Sequence, residues 1–259
     1  MNLEEFFNQH RRVAIAFSGG VDSAYLLYAA KQYAEEVRAY YVNSAFQPAF
    51  EFEDAKRLAE QLDIKLCVIP INVLENKKVV ANPANRCYYC KQVIFSKIVN
   101  QAAIDGFTEL LDGTNASDDS ADRPGMKALQ ELKVMSPLRE CGLTKSQIRQ
   151  LSKEAGLFTW NKPSYACLAT RLPTGSKITN ERLEATEKAE NYLMELGFKN
   201  FRVRMLNNPA EPFNSAPFAK IELTEKDLAL FSENHKKILS KLKEDYSKVL
   251  LDLELRNEE

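Results

Sequence analysis

The chain has 259 residues and a net charge of −1, with 35 Lys and Arg against 36 Asp and Glu. This balance argues against a protein that wraps duplex nucleic acid, which usually carries a basic excess. No apolar run approaches the roughly 20 residues of a membrane span. The acidic Met1–Glu5 segment also lacks the basic residues followed by an apolar stretch that begin a signal peptide. We expect a cytoplasmic protein without membrane or nucleic-acid partners.

Short apolar runs alternate with helical periodicities through the first two thirds of the chain. Strands are predicted at 13–17, 37–42, 65–69 and 107–111, and helices at 23–36, 51–62, 91–103 and 144–155. Strands that alternate with helices predict an α/β fold with a doubly wound parallel sheet. Ligands bind such sheets at the carboxyl ends of the strands.

The character of the sequence changes near residue 177. A loop is predicted at 162–174, helices at 180–196 and 224–242, and strands at 201–205, 220–223 and 249–255. These elements predict a smaller C-terminal α+β domain. We therefore expect two domains, at residues 1–176 and 177–259.

A glycine-rich loop follows the first predicted strand and reads Ser18-Gly19-Gly20-Val21-Asp22-Ser23. Its glycines allow several backbone N–H groups to face one anion, and the helix that follows adds its positive end. The Ser18 and Ser23 hydroxyls are candidate phosphate donors, and Asp22 indicates a Mg²⁺ ion between itself and the phosphates. A plain Gly-Gly turn with a serine cap is the alternative. The Walker A ending and the third Rossmann glycine are both missing.

Two further segments follow predicted strands and belong to the same sheet edge. The candidate nucleotide contacts there are Asn43, Ser44, Gly113, Thr114 and Asn115. Arg123 is a candidate ATP contact or a turn salt bridge.

The glycine loop after an apolar strand resembles the PP-loop of the ATP pyrophosphatases. The resemblance covers about the first half of the chain. It implies cleavage of ATP between its α- and β-phosphates, release of pyrophosphate and transfer of AMP to a substrate. Family members include amidotransferase synthetases, NAD synthetase and tRNA thiolases.

The five cysteines are an odd number, which argues against a disulfide framework. Cys87 and Cys90 form a C-x-x-C pair between Arg86 and Lys91, whose charges favour thiolates. With Cys167 they would make three thiolate ligands, which leave one iron of a [4Fe–4S] cluster open. A structural Cys167 beside an incidental pair is the alternative that spacing alone leaves open.

Further motifs sharpen the resemblance and span nearly the whole chain. They lie, in order, at Arg86–Lys91, Leu111–Asp119, Arg123–Ala128, Ser136–Leu138, Lys162–Arg171 and Phe201–Arg204. Together they resemble the LarE family of pyridinium-3,5-bisthiocarboxylic acid mononucleotide synthases, which makes the sulfur groups of the nickel-pincer nucleotide. Within that family, Cys87 and Cys90 match the subtype with three cysteines. The stretch from Asn207 to Pro217 is longer than the family pattern leads us to expect.

The resemblance implies an anionic nucleotide substrate with carboxylates and a phosphate. Candidate substrate residues are Arg171, Arg202, Arg204 and Glu190, of which Arg202 and Arg204 alternate along a strand and so share a face. A solvated strand face is the alternative for the arginine pair. Glu190 is a weaker candidate, as an acid or base.

The predicted mechanism is adenylation of a carboxylate, followed by attack of a sulfur nucleophile and loss of AMP. Hydrosulfide on the open iron of the cluster is the preferred nucleophile, and a sacrificial Cys167 is the alternative. We expect ATP, Mg²⁺ and a [4Fe–4S] cluster as cofactors, sulfide or a sulfur donor as a partner, and a homo-oligomer. The competing readings are an ammonia-dependent ligase, a tRNA thiolase and an adenine-nucleotide sensor.

Overall fold

The computed structural model describes residues 1–118, 124–208 and 216–257. The chain divides into two compact units. Unit 1 comprises Met1–Val79 with Ala84–Lys162, and unit 2 comprises Val80–Pro83 with Pro163–Glu259. No helix among the described residues is long and apolar enough to cross a bilayer.

Unit 1 is built on a parallel sheet with the strand order β3-β2-β1-β4. The strands are β1 (Arg12–Ala16), β2 (Glu36–Asn43), β3 (Leu66–Pro70) and β4 (Leu110–Leu111). In the register of the sheet, Ile15 of β1 lies opposite Ala39 of β2 and Leu111 of β4. The strand predicted at 107–111 is thus only two residues long, and the other three lie close to their predicted positions.

Helices cover both faces of this sheet. They are α1 (Leu3–Gln9), α2 (Val21–Tyr33), α3 (Ala49–Gln61), α4 (Lys77–Val80), α5 (Arg86–Ile104), α6 (Pro124–Glu131), α7 (Pro137–Glu140) and α8 (Lys145–Glu154). Successive residues of a strand point to opposite faces. Val13 and Ile15 therefore join the core under α1, α2, α3 and α8, while Ala14 joins the core under α5 and α6. The prediction of a doubly wound α/β fold is confirmed.

Local chemistry explains where several helices begin. Thr144 caps α8 in a capping box with Gln147, and Gly156, at φ +67°, follows its end. Helix α1 was not predicted, although Asn2 and Glu5 form a capping box and Leu3, Phe6 and Phe7 are buried. Its signal was therefore present in the sequence.

Unit 2 contains a three-stranded sheet with the order β5-β6-β7. Its elements are α9 (Asn180–Glu195), β5 (Arg202–Leu206), β6 (Phe218–Glu222), α10 (Leu228–Leu242) and β7 (Lys248–Leu251). β5 and β6 are antiparallel, whereas β6 and β7 are parallel and are joined through α10. The prediction of a small second α+β domain is confirmed. Within the long stretch from Asn207 to Pro217, residues 209–215 lie outside the described residues.

Unit 2 begins earlier than the predicted boundary at residue 177. Its short first segment, Val80–Pro83, is bonded to the residues around 175. Asn82 Nδ2 donates to the Pro173 carbonyl at 2.8 Å, and the Asn82 carbonyl accepts from Gly175 N at 2.7 Å. The sequence boundary missed this because the bonds join segments about 90 residues apart.

Candidate active site

The loop from Ser18 to Ser23 connects β1 to α2 and folds back on itself. Its two serine hydroxyls lie 3.1 Å apart, and the Ser23 hydroxyl donates to the Gly20 carbonyl at 3.2 Å. Gly19 has a φ of +76°, which favours glycine, and α2 begins at Val21, two residues earlier than predicted. The N–H groups of the first turn of α2 and the positive end of that helix therefore lie within the loop.

A cavity of about 490 Å³ opens beside this loop within unit 1. The loop contributes Ser18, Gly20, Asp22 and Ser23, the chain after β4 contributes Asp112, Gly113, Thr114 and Asp118, and helices α5 and α6 contribute Cys87, Lys91, Phe95, Pro124, Gly125 and Met126. A cavity of this size suits a small organic ligand. The polar residues of the loop and of the chain after β4 follow the carboxyl ends of β1 and β4, which is the edge where parallel sheets of this kind bind ligands.

The end of β4 passes against the start of α2. A Cβ atom placed on Gly113 would lie 2.8 Å from the backbone nitrogen of Ser23, closer than real Cβ contacts come. Gly113 is therefore needed for this approach. Gly113 and Thr114 line the cavity, and their contact with a nucleotide stays a prediction.

The other predicted nucleotide contacts lie elsewhere or outside the described residues. Asn115 is buried, and its side chain accepts from Ser117 N at 2.8 Å. Ser44 is buried and donates to Gln47 at 2.5 Å, whereas Asn43 is exposed and lies at the end of β2. Arg123 falls outside the described residues. Their contact with a nucleotide stays a prediction.

Asp112 is a cavity residue that sequence reasoning did not assign. Its buried carboxylate accepts from the Thr114 hydroxyl at 2.6 Å and from the Ser136 hydroxyl at 2.6 Å. The bonds fix the turn after β4 and orient Thr114. The sequence did hold a sign of this role, because Asp112 comes directly after an apolar strand and before Gly113.

Asp22 forms an ion pair that the sequence did not reveal. Its Oδ2 accepts from Lys145 Nζ at 2.5 Å, and Lys145 is the first residue of α8. The other oxygen, Oδ1, is buried and has no hydrogen-bond partner among the described residues. An unpaired buried carboxylate oxygen is costly and suits a cation such as Mg²⁺.

The C-x-x-C pair lies in the first turn of α5, not in a loop before a helix that starts at Lys91. α5 begins at Arg86, so Cys87 and Cys90 lie three residues apart on one helical turn and are neighbours on its surface. Cys87 is exposed and lines the cavity, and Arg86 Nη2 lies 3.9 Å from its sulfur. A thiol and the glycine loop therefore share one cavity.

Cys167 belongs to unit 2 and is half-buried just before a 3₁₀ turn at Leu168–Arg171. All five cysteines are described, and none forms a disulfide. Among the described residues, no group of three or more His, Cys, Asp or Glu side chains is arranged to hold a metal ion. The convergence of the three cysteines stays a prediction.

Comparison with known proteins identifies the loop. Residues 1–104 match the family model described as the PP-loop domain. An uncharacterised protein of Synechocystis is 35% identical over 237 residues, which cover 90% of this chain and 84% of the relative. The pyridinium-3,5-bisthiocarboxylic acid mononucleotide synthase of Lactiplantibacillus plantarum is 33% identical over 248 residues, covering 94% of this chain and 86% of that enzyme. An uncharacterised protein of Methanocaldococcus jannaschii is 28% identical over 255 residues, covering 98% of this chain and 94% of the relative.

The chain belongs to the PP-loop ATP pyrophosphatase family. Membership makes it an ATP-binding member of an enzyme family, and the PP-loop is Ser18–Ser23. The predicted family is thereby confirmed at this level.

Arg171 and Glu190, two predicted substrate residues, form a buried ion pair inside unit 2. Each side chain is 1% exposed, and Arg171 Nε lies 2.8 Å from Glu190 Oε1. Glu190 also accepts from Val203 N at 2.9 Å and from the Tyr165 hydroxyl. The charges and hydrogen-bonding groups of the two residues thus satisfy each other within unit 2, and their contact with a substrate stays a prediction.

Arg202 and Arg204 share one face of β5, as the sequence predicts, but differ in environment. Arg202 is buried and donates to the carbonyls of Phe201, at 2.5 Å, and Ser164. The pKa of its guanidinium is lowered to about 10 because it is buried and because Arg171 and Arg256 add like charge. Arg204 is more exposed and pairs with Glu222 at 2.5 Å.

We predict that Gly113→Ala impairs the PP-loop while Gly125→Ala does not. The Gly113 Cβ would meet the backbone of Ser23, whereas the Gly125 Cβ would meet the flexible Lys91 side chain at 2.9 Å. Overpacking against backbone costs about 1–3 kcal/mol, and a loss of ~1.4 kcal/mol in transition-state binding is tenfold in rate. ATP titration and pyrophosphate release measure the effect. Equal behaviour of the two variants would contradict it.

We predict that Glu190→Gln lowers the stability of unit 2. The change leaves the buried Arg171 without its counterion, and breaking such a pair costs about 3–5 kcal/mol. The control is Glu184→Gln on the exposed face of the same helix, where a change within ±0.5 kcal/mol is expected. Urea unfolding measures both variants. A folded, fully stable Glu190→Gln protein with lost catalysis would instead favour the acid–base role.

Proposed function

We propose that this protein is an ATP-dependent sulfurtransferase that converts a carboxylate into a thiocarboxylate. The observation that carries the proposal is the cavity lined by both the PP-loop and Cys87. An ATP pyrophosphatase activates a carboxylate as its adenylate, and a neighbouring thiol or thiol-held sulfur attacks it. The proposed acceptor is pyridinium-3,5-biscarboxylate mononucleotide, and the product serves nickel-pincer cofactor synthesis. Similarity to the L. plantarum synthase over 94% of the chain supports this acceptor.

In the proposed first step, ATP binds with its phosphates at the PP-loop. The first-turn N–H groups of α2 and the hydroxyls of Ser18 and Ser23 donate to the phosphate oxygens. Asp22 Oδ1 would hold Mg²⁺, which supplies charge neutralisation for the departing pyrophosphate. Lys145, which is paired with Asp22, adds a cation beside the same phosphates.

The substrate carboxylate attacks the α-phosphorus of ATP, and the bond to the bridging oxygen of pyrophosphate breaks. The product is a mixed anhydride, in which AMP is a good leaving group. The loop contributes because its donors are fixed in advance and so need no rearrangement as charge develops on the leaving group. Asp112 supports the loop indirectly, since its bonds to Thr114 and Ser136 set the wall of the cavity.

In the proposed second step, sulfur attacks the activated carbonyl and AMP leaves. Cys87 lies in the cavity, and Arg86 places a cation 3.9 Å from its sulfur. Thiolates are the ligands of iron–sulfur clusters, so Cys87, Cys90 and Cys167 fit that chemistry by type. A [4Fe–4S] cluster held by them would supply the sulfur nucleophile. The second route is sacrifice of the Cys167 sulfur.

For the acceptor we propose Arg204 and Arg202 as the anion-binding residues. Arg204 is part-exposed. Among the described residues, the carboxylate that forms an ion pair with it is that of Glu222. Arg202 is a buried cation whose described hydrogen bonds go to backbone carbonyls. A phosphate or carboxylate near Arg202 would pair with this buried cation. Arg171 and Glu190 would act beneath them by fixing Tyr165 and β5.

We predict that Asp22→Ala and Ser23→Ala abolish or strongly reduce pyrophosphate release. Each removes a contact to phosphate or to Mg²⁺, and a hydrogen bond involving a charged group is worth about 1.5–3 kcal/mol, roughly tenfold to hundredfold. Ser146→Ala, at the start of α8, is the control because its hydroxyl contacts Thr144 on the exposed surface. Coupled detection of pyrophosphate with and without the carboxylate acceptor gives the measurement. Normal release by either loop variant would move ATP away from this loop.

We predict that sulfur transfer depends on the cysteines while adenylation does not. Cys87→Ala, Cys90→Ala and Cys167→Ala are compared with Cys67→Ala in oxygen-free preparations. If a cluster is the sulfur source, each of the first three loses iron, sulfide and thiocarboxylate product together and keeps pyrophosphate release. If Cys167 is sacrificed, Cys87→Ala and Cys90→Ala still complete one turnover, and the wild-type chain loses the mass of hydrogen sulfide. An amide product would identify an ammonia ligase instead.

A further inference from the structure

Lys162 is a nearly buried cation at the end of unit 1, and the proposed mechanism gives it no role. Its side chain is 13% exposed and pairs with two carboxylates of α3, Asp54 at 2.7 Å and Glu51 at 3.9 Å. Burying a lysine in this way costs desolvation that its partners must offset. The two carboxylates therefore fix the position of the Lys162 ammonium group.

The backbone of Lys162 is fixed as firmly as its side chain. Arg149 of α8 donates to the carbonyl of Lys162 at 2.9 Å and to that of Trp160 at 2.8 Å. The N–H of Lys162 donates to the Thr159 carbonyl at 3.0 Å. The backbone of Lys162 is thus held from α8, and its ammonium group is held from α3.

The same ammonium group reaches the PP-loop. Lys162 Nζ donates to the carbonyl of Gly19 at 3.3 Å. Gly19 is the loop residue with φ of +76°, and its neighbours Ser18 and Gly20 both line the cavity. Lys162 therefore acts on the loop from the side of α3.

The geometry of a peptide bond gives this contact a consequence at the cavity. The Gly19 carbonyl and the Gly20 N–H belong to one planar trans peptide and point in opposite directions. While Lys162 holds the carbonyl, the Gly20 N–H points towards the Ser18 hydroxyl, at 3.4 Å. A bond of that length is weak, so a phosphate oxygen can replace it.

This peptide also needs a restraint. It lies between two glycines, whose backbones rotate more readily than those of other residues. A flipped peptide would turn the Gly19 carbonyl oxygen towards the phosphates and remove one N–H donor. Electrostatic repulsion would then replace a hydrogen bond.

We propose that Lys162 is a positioning residue of the PP-loop: it holds the Gly19–Gly20 peptide in the orientation that presents the Gly20 N–H to the phosphates of ATP. The proposal rests on the proposed function only in placing ATP phosphates at this loop, and it is independent of the sulfur chemistry. A purely structural Lys162, which merely docks α3, is the alternative to be excluded.

The experiment measures phosphate binding and adenosine binding separately in the full chain. A fluorescent ATP analogue is displaced either by pyrophosphate or by adenosine. The test variants are Lys162→Met, Lys162→Arg and the double variant Lys162→Met with Asp54→Asn, which avoids leaving Asp54 as an unpaired carboxylate. The control is Lys56→Met, because Lys56 pairs with Glu53 on the same helix at 2.7 Å and is 40% exposed.

We expect pyrophosphate to bind about tenfold more weakly to Lys162→Met and to the double variant, in line with the loss of a charge-assisted hydrogen bond. Adenosine affinity is expected to stay at the wild-type value, Lys162→Arg to restore most of the pyrophosphate affinity, and Lys56→Met to match wild type. Unchanged pyrophosphate binding, or equal weakening of both ligands, would overturn the proposal.

The binding assay needs no turnover, so it can be interpreted even if the protein transfers no sulfur. If the wild-type chain binds the analogue but makes no thiocarboxylate, the sulfurtransferase proposal fails and the role of Lys162 is still decided. If pyrophosphate displaces no analogue from wild-type protein, the placement of phosphates at the loop is wrong, and the role of Lys162 falls with it.

Discussion

The close approach of the end of β4 to the start of α2 is the constraint on which the site depends. At Gly113 the two backbones lie so near that a Cβ atom would be 2.8 Å from Ser23 N and 3.0 Å from Ser23 Cα. This approach places Asp112 and Thr114 on the wall of the cavity that contains Asp22. A wider separation would leave the loop facing solvent, where water would compete for its N–H donors.

Ionic groups stabilise the two units in different ways. In unit 1 the ion pairs of Asp22 and of Lys162 converge on the loop. In unit 2 the Arg171–Glu190 pair is internal, and the pKa of Tyr165 is raised because the hydroxyl is buried and lies beside Glu190. Glu222, in contrast, has a lowered pKa: burial raises it, but hydrogen bonds from Arg204 and Lys220 outweigh burial. Its carboxylate therefore stays charged next to the predicted substrate residues.

The sequence predicted the parallel sheet, the loop and the second domain because these depend on local patterns. Runs such as 13–17 fix a strand, and Thr144 with Gly156 fixes both ends of a helix. The start of α5 was placed five residues late, because the Cys and Tyr residues from Cys87 to Cys90 have modest helix propensity and Asn85 makes no capping bond. The start of α5 at Arg86 therefore depends on tertiary packing, which a local sequence pattern does not show.

Contacts between distant parts of the chain were beyond local patterns. Arg171 and Glu190 each resembled a functional residue, since a charged side chain in a motif gives no sign that its partner is 19 residues away. The pair of Asp22 with Lys145 spans 123 residues, and the contact of Lys162 with Gly19 spans 143. Only the folded chain brings such groups together, and for this reason the sequence identified the loop but not the residues that support it.

The cavity combines the amino ends of two helices, and this explains how one site can serve both proposed steps. The PP-loop lies at the start of α2, a helix of 13 residues, and Cys87 lies in the first turn of α5, a helix of 19 residues. Each helix end carries about half a positive charge from its aligned peptide dipoles, and this charge needs no mobile side chain. The same fixed field favours the phosphates of ATP and an anionic sulfur, which must both be stabilised before they react. Activation and sulfur attack can thus share one electrostatic environment, and activation comes first because the sulfur attacks the adenylate that activation forms.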